Sequence, residues 1–192
     1  MRQRAASICG LVVATWMGGA ALAQAPADPR IFSVYTQYDT KKCRHKPGKD
    51  VEDYGSWRCP GYAGIPVLVS AGDQRMQISF GRNAANEHAA SETLRPFNNA
   101  YEGTIEWRLE KLPNGKTRPF ATILRWNVRQ EGDERVSTGR TLVVTRLGPG
   151  GVCHVGYVDG RDPKANELAR QLADRHARGF RCGVDDLQKT LP

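Results

Sequence analysis

The chain has 192 residues, 40% of them hydrophobic and 25% charged, with a formal net charge of +8. That length suits one domain with a real buried core. Beyond the N-terminal run no segment is apolar enough to span a bilayer, which excludes a polytopic membrane protein.

The N-terminus reads as an address. Arg2 and Arg4 make a short positive start, and an apolar run broken by Gly18 and Gly19 extends from Ile8 to Leu22. Ala21-Leu22-Ala23 then offers the small-x-small pattern of signal peptidase. Residues 1–23 are expected to be a removable secretory signal peptide, 24–30 a flexible Ala/Pro-rich lead-in, and 31–192 a single globular domain, periplasmic or secreted. Cleavage removes two arginines and no acid, so the mature chain stays basic, and it is expected to have no transmembrane segment. A basic exported protein meets anionic partners, so the expected partner is an anionic envelope polymer or an envelope protein; nucleic acid is not expected.

Of five cysteines, Cys9 leaves with the signal. Cys43, Cys59, Cys153 and Cys182 remain, an even number suited to an oxidising compartment. Pairing Cys43 with Cys59 and Cys153 with Cys182 closes a modest loop in each half of the chain, and these are the expected disulfides. No Cys-x-x-Cys pair occurs, so neither a metal nor a cofactor is expected.

In chain order, Ile31 to Tyr38 is rich in β-branched and aromatic residues and reads as a strand. Asp39 to Gly55 reads as a charged loop. Ile65 to Ser70 and Met76 to Phe80 form a hairpin around Ala71-Gly72-Asp73-Gln74. Residues 82–99 are irregular, with a helical turn near Asn86 to Thr93. Thr104 to Leu112 and Thr117 to Val128 flank an Asn114-Gly115 centre that suits a two-residue type I′ turn. That register sets Leu109 opposite Phe120, Trp107 opposite Thr122 and Ile105 opposite Leu124. It gathers Ile105, Trp107, Leu109, Phe120, Leu124, Trp126 and Val128 on one face.

Arg140 to Leu147 and Val152 to Val158 are further strands around Gly148-Pro149-Gly150-Gly151. In the second, Cys153, Val155 and Tyr157 alternate with His154, which should point to the outer face of the sheet. A helix begins at Asp162-Pro163. Its apolar stripe is Ala165, Leu168, Ala169, Leu172 and His176, and Gly179 ends it. The fold class is α+β: an antiparallel sheet, a meander of hairpins, with one C-terminal helix packed on it and disulfide-stapled.

The sequence carries no catalytic motif. Gly-x-Ser-x-Gly is absent, the histidines have no metal-binding spacing, and Glu52-Asp53, Asp133-Glu134 and Asp185-Asp186 read as solvated turn acids. The most suggestive surface feature is the basic loop with nearby aromatics. Its candidate ligand-contacting residues are Lys41, Lys42, Arg44, Lys46 and Trp57, a mixture able to hold glycans.

Two runs, Trp57-Arg58-Cys59-Pro60-Gly61-Tyr62-Ala63-Gly64-Ile65-Pro66 and Cys153-His154-Val155-Gly156-Tyr157-Val158-Asp159, precede a helix that leads to Cys182. Together they resemble a group of small exported bacterial proteins of unassigned function. The resemblance implies that the four cysteines are a framework, and it implies no activity. The expectation is a non-enzymatic binding or inhibitor-like module. The alternative is a cell-wall or glycan-directed hydrolase with acidic catalytic residues.

Overall fold

A computed structural model describes residues 28–50, 54–129 and 138–190. The expected signal peptide, its expected cleavage site and most of the expected lead-in lie outside these residues. So do the acidic pairs Glu52-Asp53 and Asp133-Glu134.

The described residues are mostly strand. β1 (Ile31–Asp39) is followed by β2 (Arg44–Lys46), β3 (Gly55–Cys59), β4 (Val67–Gly72), β5 (Arg75–Phe80) and β6 (Asn98–Asn99). Then come β7 (Glu102–Lys111), β8 (Thr117–Arg129), β9 (Thr138–Arg146) and β10 (Cys153–Asp159). Helix α1 (Ala165–Leu172) and β11 (Gln188–Thr190) complete the order.

The single sheet expected from the sequence is two sheets. The central one runs β1-β7-β8-β9-β10-β11, with β6 on β8, and the small one runs β2-β3-β4-β5. The central sheet is mixed: β10 and β11 are parallel and its other pairs antiparallel. Apolar alternation explains the second layer. Val67, Val69 and Ala71 on β4 and Met76, Ile78 and Phe80 on β5 are all buried, and they pack against Ile105, Trp107, Leu109, Leu124 and Trp126 of the central sheet. The opposite face of the central sheet buries Ile123, Leu142, Val144, Cys153 and Val155 under α1, with Ala165, Ala169 and Leu172. The central sheet is thus covered on both faces.

Two β-bulges correct the expected faces. The Asn-Gly hairpin closes with Leu112 N–H donating to the Lys116 carbonyl, and only Gly115 of the pair has positive φ. This is a three-residue loop rather than a type I′ turn. Leu109 therefore pairs with Pro119, and the register recovers beyond Phe120, where Arg108 pairs with Ala121 and Trp107 with Thr122. Phe120 is the extra residue and turns to the helix face, under the Arg178 guanidinium 4.7 Å from its ring. The second bulge, at Val155, lets Cys153 and Val155 face the helix while Tyr157 turns toward the small sheet.

The helix differs at its end. Ala173–Ala177 form a π-helical turn, which holds an extra residue per turn. The buried stripe passes from Leu172 and Ala173 to Ala177, and His176 is exposed. Asp162 caps the turn before the helix, its Oδ1 accepting from Lys164 N–H at 2.7 Å.

Both expected disulfides are present: Cys43–Cys59 in the small-sheet layer, and Cys153–Cys182 between β10 and the segment after the helix. No helix among the described residues is long and apolar enough to cross a membrane.

Candidate functional site

The loop read as Asp39 to Gly55 contains structure. Asp39 caps a 3₁₀ turn at Thr40–Lys42 by accepting from Lys41 N–H, and Lys42 Nζ lies 3.7 Å from the same carboxylate. Lys41 is exposed on that turn. The chain then enters β2, an edge strand pairing Arg44 with Arg58, His45 with Trp57 and Lys46 with Ser56. Three polar residues give no strand signal of their own; pairing with β3 and the Cys43–Cys59 staple hold them extended.

Strand alternation divides the predicted contact residues between two faces. His45 and Trp57 share the inner face, with ring centroids 4.9 Å apart and stacked, and His45 Nε2 lies 3.2 Å from the Tyr54 carbonyl. Trp57 packs against the inter-sheet core and meets Tyr101 edge-on. Arg44 and Lys46 point to the outer face. Arg58 is directly opposite Arg44, and Leu68 and Ser79 extend that row across the sheet. The structure therefore joins Arg44, Lys46 and Arg58 but does not bring Trp57 to them. Arg58 was missed from the sequence because its segment was not recognised as a strand; its alternation with Trp57 was the available signal.

Like charges directly opposite in a sheet oppose pairing. Among the described residues, Arg44, Lys46 and Arg58 are exposed and have no ion-pair partner. The outer face is consequently electropositive, while Tyr54, Phe97 and Tyr101 line a separate groove of about 290 Å³ with Arg129.

The histidine placed on the outer face by alternation is instead buried between the sheets. His154 is 1% exposed, beside Trp126 and Tyr157. Cross-strand pairing sets Trp107, Thr122, Thr145 and His154 in one row, which explains the burial: the row faces the small sheet. His154 Nδ1 lies 2.9 Å from the Tyr157 hydroxyl and 3.9 Å from Glu92 Oε2, while its backbone N–H donates to that same oxygen at 2.6 Å. Burial lowers the imidazole pKa to about 3 and raises the Glu92 carboxyl. This is a histidine beside a carboxylate, but its ring is sealed from any cleft.

The helix-facing polar residues also form an internal network. Arg108 donates to Asp174 through Nε at 3.0 Å and Nη2 at 2.6 Å, and to Ser33 through Nη1. Arg170 donates to Glu106 at 2.6 Å, and Ser33 donates to the same carboxylate. These groups dock α1 on the sheet. Among the described residues no group of three His, Cys, Asp or Glu side chains is arranged to hold a metal ion. Comparison with known protein families, curated proteins and solved structures gives no match.

Proposed function

We propose that this protein is an exported, non-enzymatic binding module that docks an anionic envelope polymer on the outer face of its small sheet. The observation that carries this reading is the direct cross-strand opposition of Arg44 and Arg58 with Lys46 on the same face. Repulsion among these groups is relieved by a polyanion laid across the strands, and the Cys43–Cys59 staple keeps them extended in its absence.

The alternative, a wall- or glycan-directed hydrolase, needs two carboxyl groups about 5–10 Å apart across a cleft. Glu102 and Glu106 line one cleft four positions apart on β7, about 13 Å, and Asp39, opposite Glu102 in another cleft, accepts from Lys41 N–H and lies 3.7 Å from Lys42 Nζ. Glu106 is moreover held by Arg170.

The test uses oxidised mature protein on immobilised polygalacturonate, with dextran as the neutral control. Retention on polygalacturonate that falls with added salt, and weakens about tenfold in the Arg44→Ser/Lys46→Ser/Arg58→Ser variant, is expected. Equal retention of the folded triple variant overturns the assignment to this face, and equal retention on dextran overturns the electrostatic basis.

A further inference from the structure

A second cleft, of about 480 Å³, lies on the opposite side of the central sheet, beside the start of α1. Arg125 on β8 and Arg140 on β9 share its wall. Arg125 pairs with Leu142 and Asn127 with Arg140, so the two arginines are diagonal neighbours on one face.

The Arg125 head is held in place. Its Nη1 donates to the Gly160 carbonyl and its Nη2 to Asn166 Oδ1, each at 3.2 Å. The chain makes room for it: a Cβ on Gly160 would sit 2.5 Å from Nη1. Both acceptors are neutral, so they orient the guanidinium and leave its charge uncompensated. Desolvation and the neighbouring Arg140 lower the Arg125 pKa, in keeping with two close cations.

The carboxylates of the wall are elsewhere engaged or distant. Glu106 accepts from Arg170 and Ser33. Glu102 stands on β7, with β8 between it and Arg140, a separation of about 10 Å. Among the described residues neither Arg125 nor Arg140 forms an ion pair. The wall also offers amides and hydroxyls, from Asn127, Asn166, Thr104 and Tyr35, beside apolar Ile123 and Leu142. An oxyanion set between two guanidinium groups, in a cleft rimmed by groups that bond hydroxyls, is the recognition chemistry of an acidic sugar.

We propose that this cleft binds a small acidic sugar, with its carboxylate or phosphate between Arg125 and Arg140 and its hydroxyls on the surrounding amides. The site lies on a different layer from the basic face of the small sheet and does not depend on it.

The experiment is calorimetric titration of oxidised mature protein with glucuronate, glucose 6-phosphate, glucose and inorganic phosphate. Either acidic sugar is expected to bind at least about tenfold more tightly than glucose and than phosphate alone. The first comparison reports the anion and the second the sugar. Arg140 is exposed, so Arg140→Gln keeps the fold and should weaken binding about tenfold at unchanged Tm. The Arg44→Ser/Lys46→Ser/Arg58→Ser variant should bind the acidic sugar normally. No binding of either acidic sugar, equal binding of glucose, equal binding of bare phosphate, or undiminished binding by folded Arg140→Gln each overturns the proposal.

Discussion

His154 Nδ1 meets the Tyr157 hydroxyl at 2.9 Å although they stand three positions apart on β10, because the bulge at Val155 turns both rings to the same side of the sheet. Regular alternation would have put them on opposite faces. The pair is buried with Glu92 against it, and His88 acts on Glu92 from the neighbouring turn.

This burial makes stability depend on pH. The folded imidazole pKa lies at about 3, below the unfolded value of about 6.5. The unfolded chain therefore takes up the proton first. The contribution of neutral His154 is complete above about pH 6.5 and is lost as pH falls toward 3, by at most about 1.4 kcal/mol per unit. Glu92 acts in the other direction: its raised pKa favours the folded state below the ordinary carboxyl range and less so as pH rises through its folded value. Urea unfolding between pH 5 and 7 reads the upper part of the histidine window. His154→Leu should flatten the slope in that window; a slope equal to that of the parent would remove His154 as its source.

Removing one partner from the Arg108–Asp174 pair should cost more than removing both. Asp174→Ala leaves the nearly buried Arg108 guanidinium with Ser33 and, at 4.0 Å, a Glu106 carboxylate already engaged by Arg170, for a loss of about 3 kcal/mol. Arg108→Met combined with Asp174→Leu should recover part of that loss. Chemical denaturation of the two variants decides it, and equal losses would mean that the carboxylate does little to hold the helix.

The disulfides should contribute unequally. Loop closure across 16 and 29 residues corresponds to about 3.1 and about 3.6 kcal/mol in the chain-entropy model. Serine replacement of Cys153 and Cys182 should therefore lower the denaturation midpoint more than replacement of Cys43 and Cys59, as measured by urea titration. The reverse order would show that native-state effects outweigh loop length.

Gly156 admits β11. A Cβ there would lie 2.0 Å from the Gln188 carbonyl, so Gly156→Ala should displace β11 from β10. Hydrogen exchange should show lost protection at Gln188–Thr190 with β8 and β9 unaffected. Retained protection would mean that the strand shifts without parting.

Much of this fold was legible where local pattern and turn chemistry agree. β1, the β4–β5 hairpin, the body of the β7–β8 register and the cysteine pairing all follow from alternation, turn residues or loop size. Phe120 and Tyr157 resisted because a bulge shifts the alternation at one residue and leaves no mark in a short apolar run. His176 resisted for the analogous reason in a helix, one widened turn. The small sheet was half hidden because Arg44, His45 and Lys46 carry no strand propensity and take their form from β3. The basic character of the candidate site was visible in Lys41, Lys42, Arg44 and Lys46. Its true geometry, with Arg58 included and Trp57 facing away, appeared only once β2 and β3 were paired. The Arg125–Arg140 cleft draws on β8, β9 and the helix start together, and no window of sequence contains it.

The two staples are also ordered in time. Cys43 and Cys59 precede Cys153 and Cys182 in the chain, and no other cysteine stands between the pairs. A chain emerging from its N-terminus presents Cys43 and Cys59 together long before Cys153. Of these four thiols the first pair can then close before the second pair competes, and the helical staple must wait for Cys182. Mispairing is thereby discouraged by the order of emergence itself, without help from geometry.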